Sequence, residues 1–133
     1  MATACLMIEA LESFFQGLPT TKNISKDIFI AYFKREAKLF PGLSDVAIDF
    51  YYNIRCAILH QAETTGGWRI SRNSKDMLWN ASSRIINANL FLEAVSESIS
   101  NYINSLKESN WNSILWGNAI IKLNKLCSNC EIE

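Results

Sequence analysis

One histidine occurs in the 133-residue chain, His60, and Arg55 stands five positions before it. An imidazole with an ordinary pKa of about 6.5 exchanges protons near neutrality. An arginine stays charged and offers a planar fork of donors matched to phosphate or carboxylate oxygens. The pair therefore offers an acid or base together with a clamp for developing negative charge. Cys56 follows the arginine directly. Asn53 shares a polar stripe with Asp49 and His60, which makes it a candidate to orient the ring.

Other chemical patterns are weaker. Cys127-Ser-Asn-Cys130 has the spacing of half a zinc knuckle or of a redox pair. A structural zinc site needs about four ligands, and the remaining candidates, Cys5, Cys56 and His60, are scattered, so neither a metal nor another cofactor is expected. Gly66-Gly67 reads as a turn, because no phosphate-loop pattern accompanies it.

Helices must position these residues. Met7, Leu11, Phe14 and Leu18 give helical periodicity over 3–17, stopped by Gly17 and Pro19. Asn23, Ser25 and Asp27 are start residues for a second helix, in which Phe29, Phe33, Ala37 and Phe40 form a stripe that ends at Pro41-Gly42. Ser44 caps a third helix running to about Gln61. Residues 62–76 form the longest loop, with a short extended piece at 68–71. Ile85, Ala88, Leu92, Val95, Ile99, Tyr102 and Leu106 predict a long fourth helix over 77–106. Trp111, Leu115, Ala119, Leu123 and Leu126 predict a fifth over 111–127. The expected architecture is all-α, an up-and-down bundle of about five helices, with residues 1–133 as one domain.

The third helix carries the chemistry and has an unusual pattern. At about 100° per residue, Val46, Ala47, Phe50, Ile54, Ala57 and Ile58 form one apolar face. Ile48, Tyr52, Cys56 and Leu59 form a second, nearly opposite. Such a helix is central in its bundle or shared with another molecule. Arg55 and His60 lie about 140° apart, flanking the second face. A symmetric partner docked on Ile48, Tyr52, Cys56 and Leu59 would bring two such sets around one cleft.

Bulk composition narrows the partners. Thirteen basic and thirteen acidic residues give zero formal net charge. Nucleic-acid binding through the overall field is thus disfavoured, and any such contact must be local. Zero charge also permits self-association. No apolar run of about 18 residues predicts a membrane span. Glu9 and Glu12 near the start, with no basic segment before them, do not read as a secretory signal, and the uneven cysteines favour a reducing compartment, so a cytoplasmic location is expected.

The run Arg55-Cys56-Ala57-Ile58-Leu59-His60, an Arg-x4-His signature on a helix, resembles the motif of the HEPN superfamily, the higher eukaryote and prokaryote nucleotide-binding helical domains. Its context, FYYNIRCAILHQAETTGGWRI, is similar to prokaryotic members in particular. The likeness extends to LMIEALESFFQG and INANLFLEAV, and so covers most of the chain. The resemblance implies an all-helical fold and dimerisation across the motif helix. It also implies one of two functions. One is a metal-independent endoribonuclease, often a toxin or phage-defence effector. The other is a non-catalytic module that binds RNA, a nucleotide or a partner protein such as an antitoxin or regulator.

In the first case His60 acts as base or acid on the RNA 2′-OH, and Arg55 clamps the phosphate, leaving a 2′,3′-cyclic phosphate and a 5′-hydroxyl. Asn53 and Cys56 are auxiliary. Arg69 and Arg72 are candidate phosphate contacts, and Trp68 a candidate surface for stacking a base. Two departures from the family pattern stand out. Active relatives often carry Asn where this chain has Cys56. The tyrosine that one toxin subgroup places two residues after the histidine is replaced by Ala62.

Overall fold

The computed structural model describes residues 1–73, 75 and 77–130. Five helices are found among them. α1 spans Ala2–Gln16 and α2 spans Ser25–Arg35. α3 spans 44–61 in four consecutive pieces: a 3₁₀ turn at Ser44–Val46, α-helix at Ala47–Phe50, a π turn at Tyr51–Cys56 and α-helix again at Ala57–Gln61. α4 spans Ala88–Glu108 and α5 spans Ile114–Ser128.

Between α3 and α4 lies a three-stranded sheet, which departs from the all-α expectation. β1 is Arg69–Ser71, β2 is Trp79–Asn80 and β3 is Ile85–Asn87, in the order β1-β3-β2. β3 is central, parallel to β1 with Ile70 opposite Ile86, and antiparallel to β2 with Trp79 opposite Ile86. The extended piece expected at 68–71 is therefore present as β1. The helix expected from 77 begins only at Ala88. Asn87 ends β3 and caps α4, its Oδ1 accepting from the backbone N–H groups of Asn89 at 3.0 Å and Leu90 at 3.2 Å. With that start the buried stripe is Phe91, Ala94, Val95, Ser98 and Tyr102, and Leu92 faces outward.

The other boundaries shift less. α1 ends where Gly17 adopts φ +68°, a left-handed position that glycine reaches without a side-chain clash, and the Asn118 side chain fills the space where a Cβ would stand. α2 closes at Arg35, five residues before the expected end, and Phe40 still packs inward from the turn that follows. Ser113 caps α5 by accepting from the Trp116 N–H.

An aromatic cluster forms the centre. Phe33 packs edge-on against Phe50 at 5.0 Å between ring centroids, Phe40 against Phe91 at 5.2 Å, and Phe50 lies nearly parallel to Phe91 at 5.6 Å. Ile8 and Leu11 of α1, Ile54 of α3 and Val95 of α4 complete this core. α5 is attached more lightly. Only Ala119 is buried in it, and Asn118 Nδ2 donates to the Phe15 carbonyl at 2.8 Å. A groove of about 460 Å³, walled by Met7, Phe14, Ile99, Leu106, Trp116 and Leu123, runs where α1, α4 and α5 meet. No helix among the described residues is long and apolar enough to cross a membrane.

Candidate functional site

α3 buries one apolar face and exposes the other. Ala47, Phe50, Ile54 and Ala57 are buried, with Val46 and Ile58 half-buried beside them. On the opposite side Ile48 and Tyr52 are 52% and 55% exposed, and Cys56 and Leu59 are half-buried. The two faces drawn from the sequence are thus both present, and the second is left partly open, most of all at Ile48 and Tyr52. The π turn coincides with the stretch that carries Asn53, Arg55 and Cys56. Such an i→i+5 turn widens the helix locally and recurs at functional sites.

Arg55 points toward α1. Its Nη2 donates to Glu9 Oε2 at 2.8 Å, and its guanidinium lies 5.4 Å from the centre of the Tyr51 ring. Glu9 is itself held, its Oε1 accepting from Thr21 at 2.7 Å and from Ser25 at 2.6 Å. Burial pushes the Glu9 carboxyl upward, but the hydrogen bonds from Ser25, Thr21 and Arg55 and the arginine charge outweigh it, leaving its pKa below the usual carboxylate value. For Arg55 burial acts downward, and the bond and charge of Glu9 raise the pKa overall. Arg55 Nε is buried without a hydrogen-bond partner among the described residues. The guanidinium is therefore fixed in place while part of its donor set is uncommitted.

His60 lies in the last turn of α3, exposed, beside a cavity of about 260 Å³ lined by Tyr52, Cys56, Ala57, Gln61 and Thr65. Arg55 lines a different cavity, of about 290 Å³, together with Glu9, Thr21 and Lys122. Within one chain the ring and the cation do not share a groove. Cys56 lies between them: it lines the His60 cavity, and its Sγ is 4.0 Å from Arg55 Nη1.

The remaining candidates separate. Asn53 does not serve the imidazole. Its Nδ2 donates to Asp49 Oδ1 at 2.8 Å, its Oδ1 accepts from the Thr65 hydroxyl at 2.7 Å, and its carbonyl accepts from the Thr65 N–H. Asn53 fastens the loop after α3 onto the π turn. Gly66, at φ +60°, lies so close to the Asn53 amide that a Cβ would sit 2.6 Å from it.

Trp68 is a core residue, which corrects its reading as a stacking surface. It is 3% exposed, stacked on Trp79 at 4.6 Å and nearly perpendicular to Phe50, and its indole N–H donates to Asp49 Oδ2 at 2.8 Å. Arg69 is exposed and donates to the Ser83 carbonyl at 3.3 Å. Arg72, also exposed, lines a third cavity with Ile58, Ala62 and Glu63. The structure does not bring these two arginines to Arg55.

Three contributors escaped sequence reasoning. Glu9, on α1, holds Arg55 from 46 positions away, and no local pattern reveals that. Arg84 reaches back from the turn before β3 to the Gly66 carbonyl at 2.6 Å and to Asp49 at 3.2 Å. Asp49 joins Asn53, Trp68 and Arg84, and only its place on the polar stripe of α3 hinted at such a role. No family profile, characterised protein or solved structure matches the chain.

Proposed function

We propose that the chain is a metal-independent endoribonuclease of HEPN type that works as a homodimer. Two copies meet on the strip Ile48, Tyr52, Cys56 and Leu59, and their α3 helices place two Arg55–His60 sets around one cleft. The observation that carries this reading is the exposure of that strip, with a held guanidinium on one side of Cys56 and a solvent-accessible imidazole on the other. An isologous contact suits it, because each copy offers the same patch, and zero formal net charge opposes it little.

The chemistry follows from the side chains. His60 takes the proton of the 2′-OH, or returns one to the leaving 5′-oxygen, and the second copy's ring supplies the complementary role. Arg55 places its charge where the phosphate oxygens gain negative charge. Glu9 acts as a positioning residue, since it orients the guanidinium from behind. Arg69 and Arg72 have no part in the central cleft.

A second reading, a non-catalytic module that binds RNA or a protein, draws support from the ion pair with Glu9, which offsets the charge of Arg55, and from the separate cavities of Arg55 and His60. One assay separates the two. End-labelled single-stranded and structured RNAs are incubated with the protein and a chelator. The nuclease reading expects 2′,3′-cyclic phosphate ends and at least about a 100-fold loss of rate in both Arg55→Ala and His60→Ala with helicity intact. RNA retained by the wild type but left uncut supports the binding module instead.

A further inference from the structure

We infer that Cys56 is a reactive thiol, primed by Arg55 and His60, at which a small disulfide forms a mixed disulfide with the chain. The inference rests on the groups that converge on one sulfur. His60 stands four residues after Cys56 in α-helical continuation, so the two side chains are neighbours on one face, and both line the same open cavity. Arg55 Nη1 lies 4.0 Å from the sulfur on its other side. Burial and then the neighbouring Cys56 raise the pKa of the Tyr51 phenol, so it stands protonated beside the sulfur. A guanidinium, a phenol and an imidazole thus stand around one half-buried thiol that lines an open cavity, the setting in which a cysteine attacks as its proton is taken up by a neighbour.

The other cysteines lack this setting. Cys5 is buried, and burial pushes its thiol up to about 12, so it stays protonated and shielded. Cys127 and Cys130 are exposed, at and just beyond the end of α5. Reactivity that followed exposure alone would rank them first.

The step balances without further reagents. The Cys56 proton passes to the His60 imidazole. The thiolate attacks one sulfur of the small disulfide, a new S–S bond forms as the old one breaks, and the departing thiolate takes the proton from His60. The protein thiol is oxidised to half of the mixed disulfide, and one half of the reagent is reduced to a free thiol. Because Cys56 belongs to the strip proposed to seat the second copy, the adduct would also block the dimer. That consequence alone rests on the dimer reading.

The test uses the full chain carrying Cys130→Ser, so that the two C-terminal thiols cannot close on each other. The protein is exposed to oxidised glutathione, quenched with acid at intervals and peptide-mapped by mass spectrometry. Cys56 is expected to react at least about ten times faster than Cys127. His60→Ala and Tyr51→Phe are expected to slow Cys56 several-fold while Cys127, the internal control, keeps its rate. A Cys56 rate equal to or below that of Cys127, or one unchanged in both variants, overturns the inference. RNA cleavage does not enter this readout, so failure of the nuclease reading is recognised separately.

Discussion

Glu9 determines what Arg55 can do. A guanidinium free to sample solvent would lose much of its ordering advantage, whereas one tied through Nη2 holds its remaining donors in a fixed fork. The same tie predicts a pH dependence. The folded pKa of Glu9 is depressed, so its contribution to stability is complete above the ordinary carboxylate value and is lost as pH falls through the lower folded value. Glu9→Gln should therefore melt below the wild type at about pH 7, with the gap closing as the pH is taken below about 4, measured by thermal unfolding across that range. A gap that widens on acidification would contradict the assignment. The pair of buried Glu12 and partly exposed Arg35, joined at 2.7 Å, has a different role, since it braces α1 against α2. Glu12→Ala is expected to cost about 1–3 kcal/mol in denaturant unfolding, because it removes the carboxylate that accepts from Arg35 Nε and Nη2 and leaves Arg35 its pair with Glu36 alone. At this scale Arg55 and His60 were legible from type and spacing. Glu9 was not, because an ion pair spanning 46 positions leaves no periodic trace.

At the scale of elements, the helical stripes were legible where burial dominates and misleading where two structures share one pattern. Ile85 fits a helix face and also a short central strand, and hydrogen bonding to β1 and β2 decides for the strand. Asn87 then marks the true start of α4 as a cap, a signal visible in the sequence but outweighed by the apolar periodicity around it. Asn87→Ala should cost about 1 kcal/mol or more, since the side chain also donates to the Asn73 carbonyl at 2.8 Å. The π turn was invisible to a wheel drawn at a constant angle, yet it positions Asn53 to hold the loop and Arg55 to reach α1. Trp68 illustrates the converse. Its loop position suggested a surface role, but the turn through Gly66 and Gly67 folds the indole back onto Phe50, Trp79 and Asp49. Trp68→Ala should lower stability by about 3–5 kcal/mol, seen in chemical denaturation. A folded, fully stable Trp68→Ala protein would contradict its placement in the core.

At the scale of the whole molecule, the bundle was predicted by helical periodicity and zero net charge left association open, but neither specifies which surface associates. Two apolar surfaces stand out among the described residues: the α3 strip, and the outer side of α5 with the groove beside it. The α3 strip carries Cys56, which lies between Arg55 and His60, so this strip should govern both assembly and activity. Sedimentation equilibrium tests this most directly, comparing the wild type with Ile48→Asp on α3 and Ile121→Asp on α5, both exposed positions. The wild type and Ile121→Asp are expected at twice the 15.1 kDa chain mass, and Ile48→Asp at the single-chain mass. A wild type that sediments as one chain, or an Ile48→Asp variant that still pairs, would contradict this.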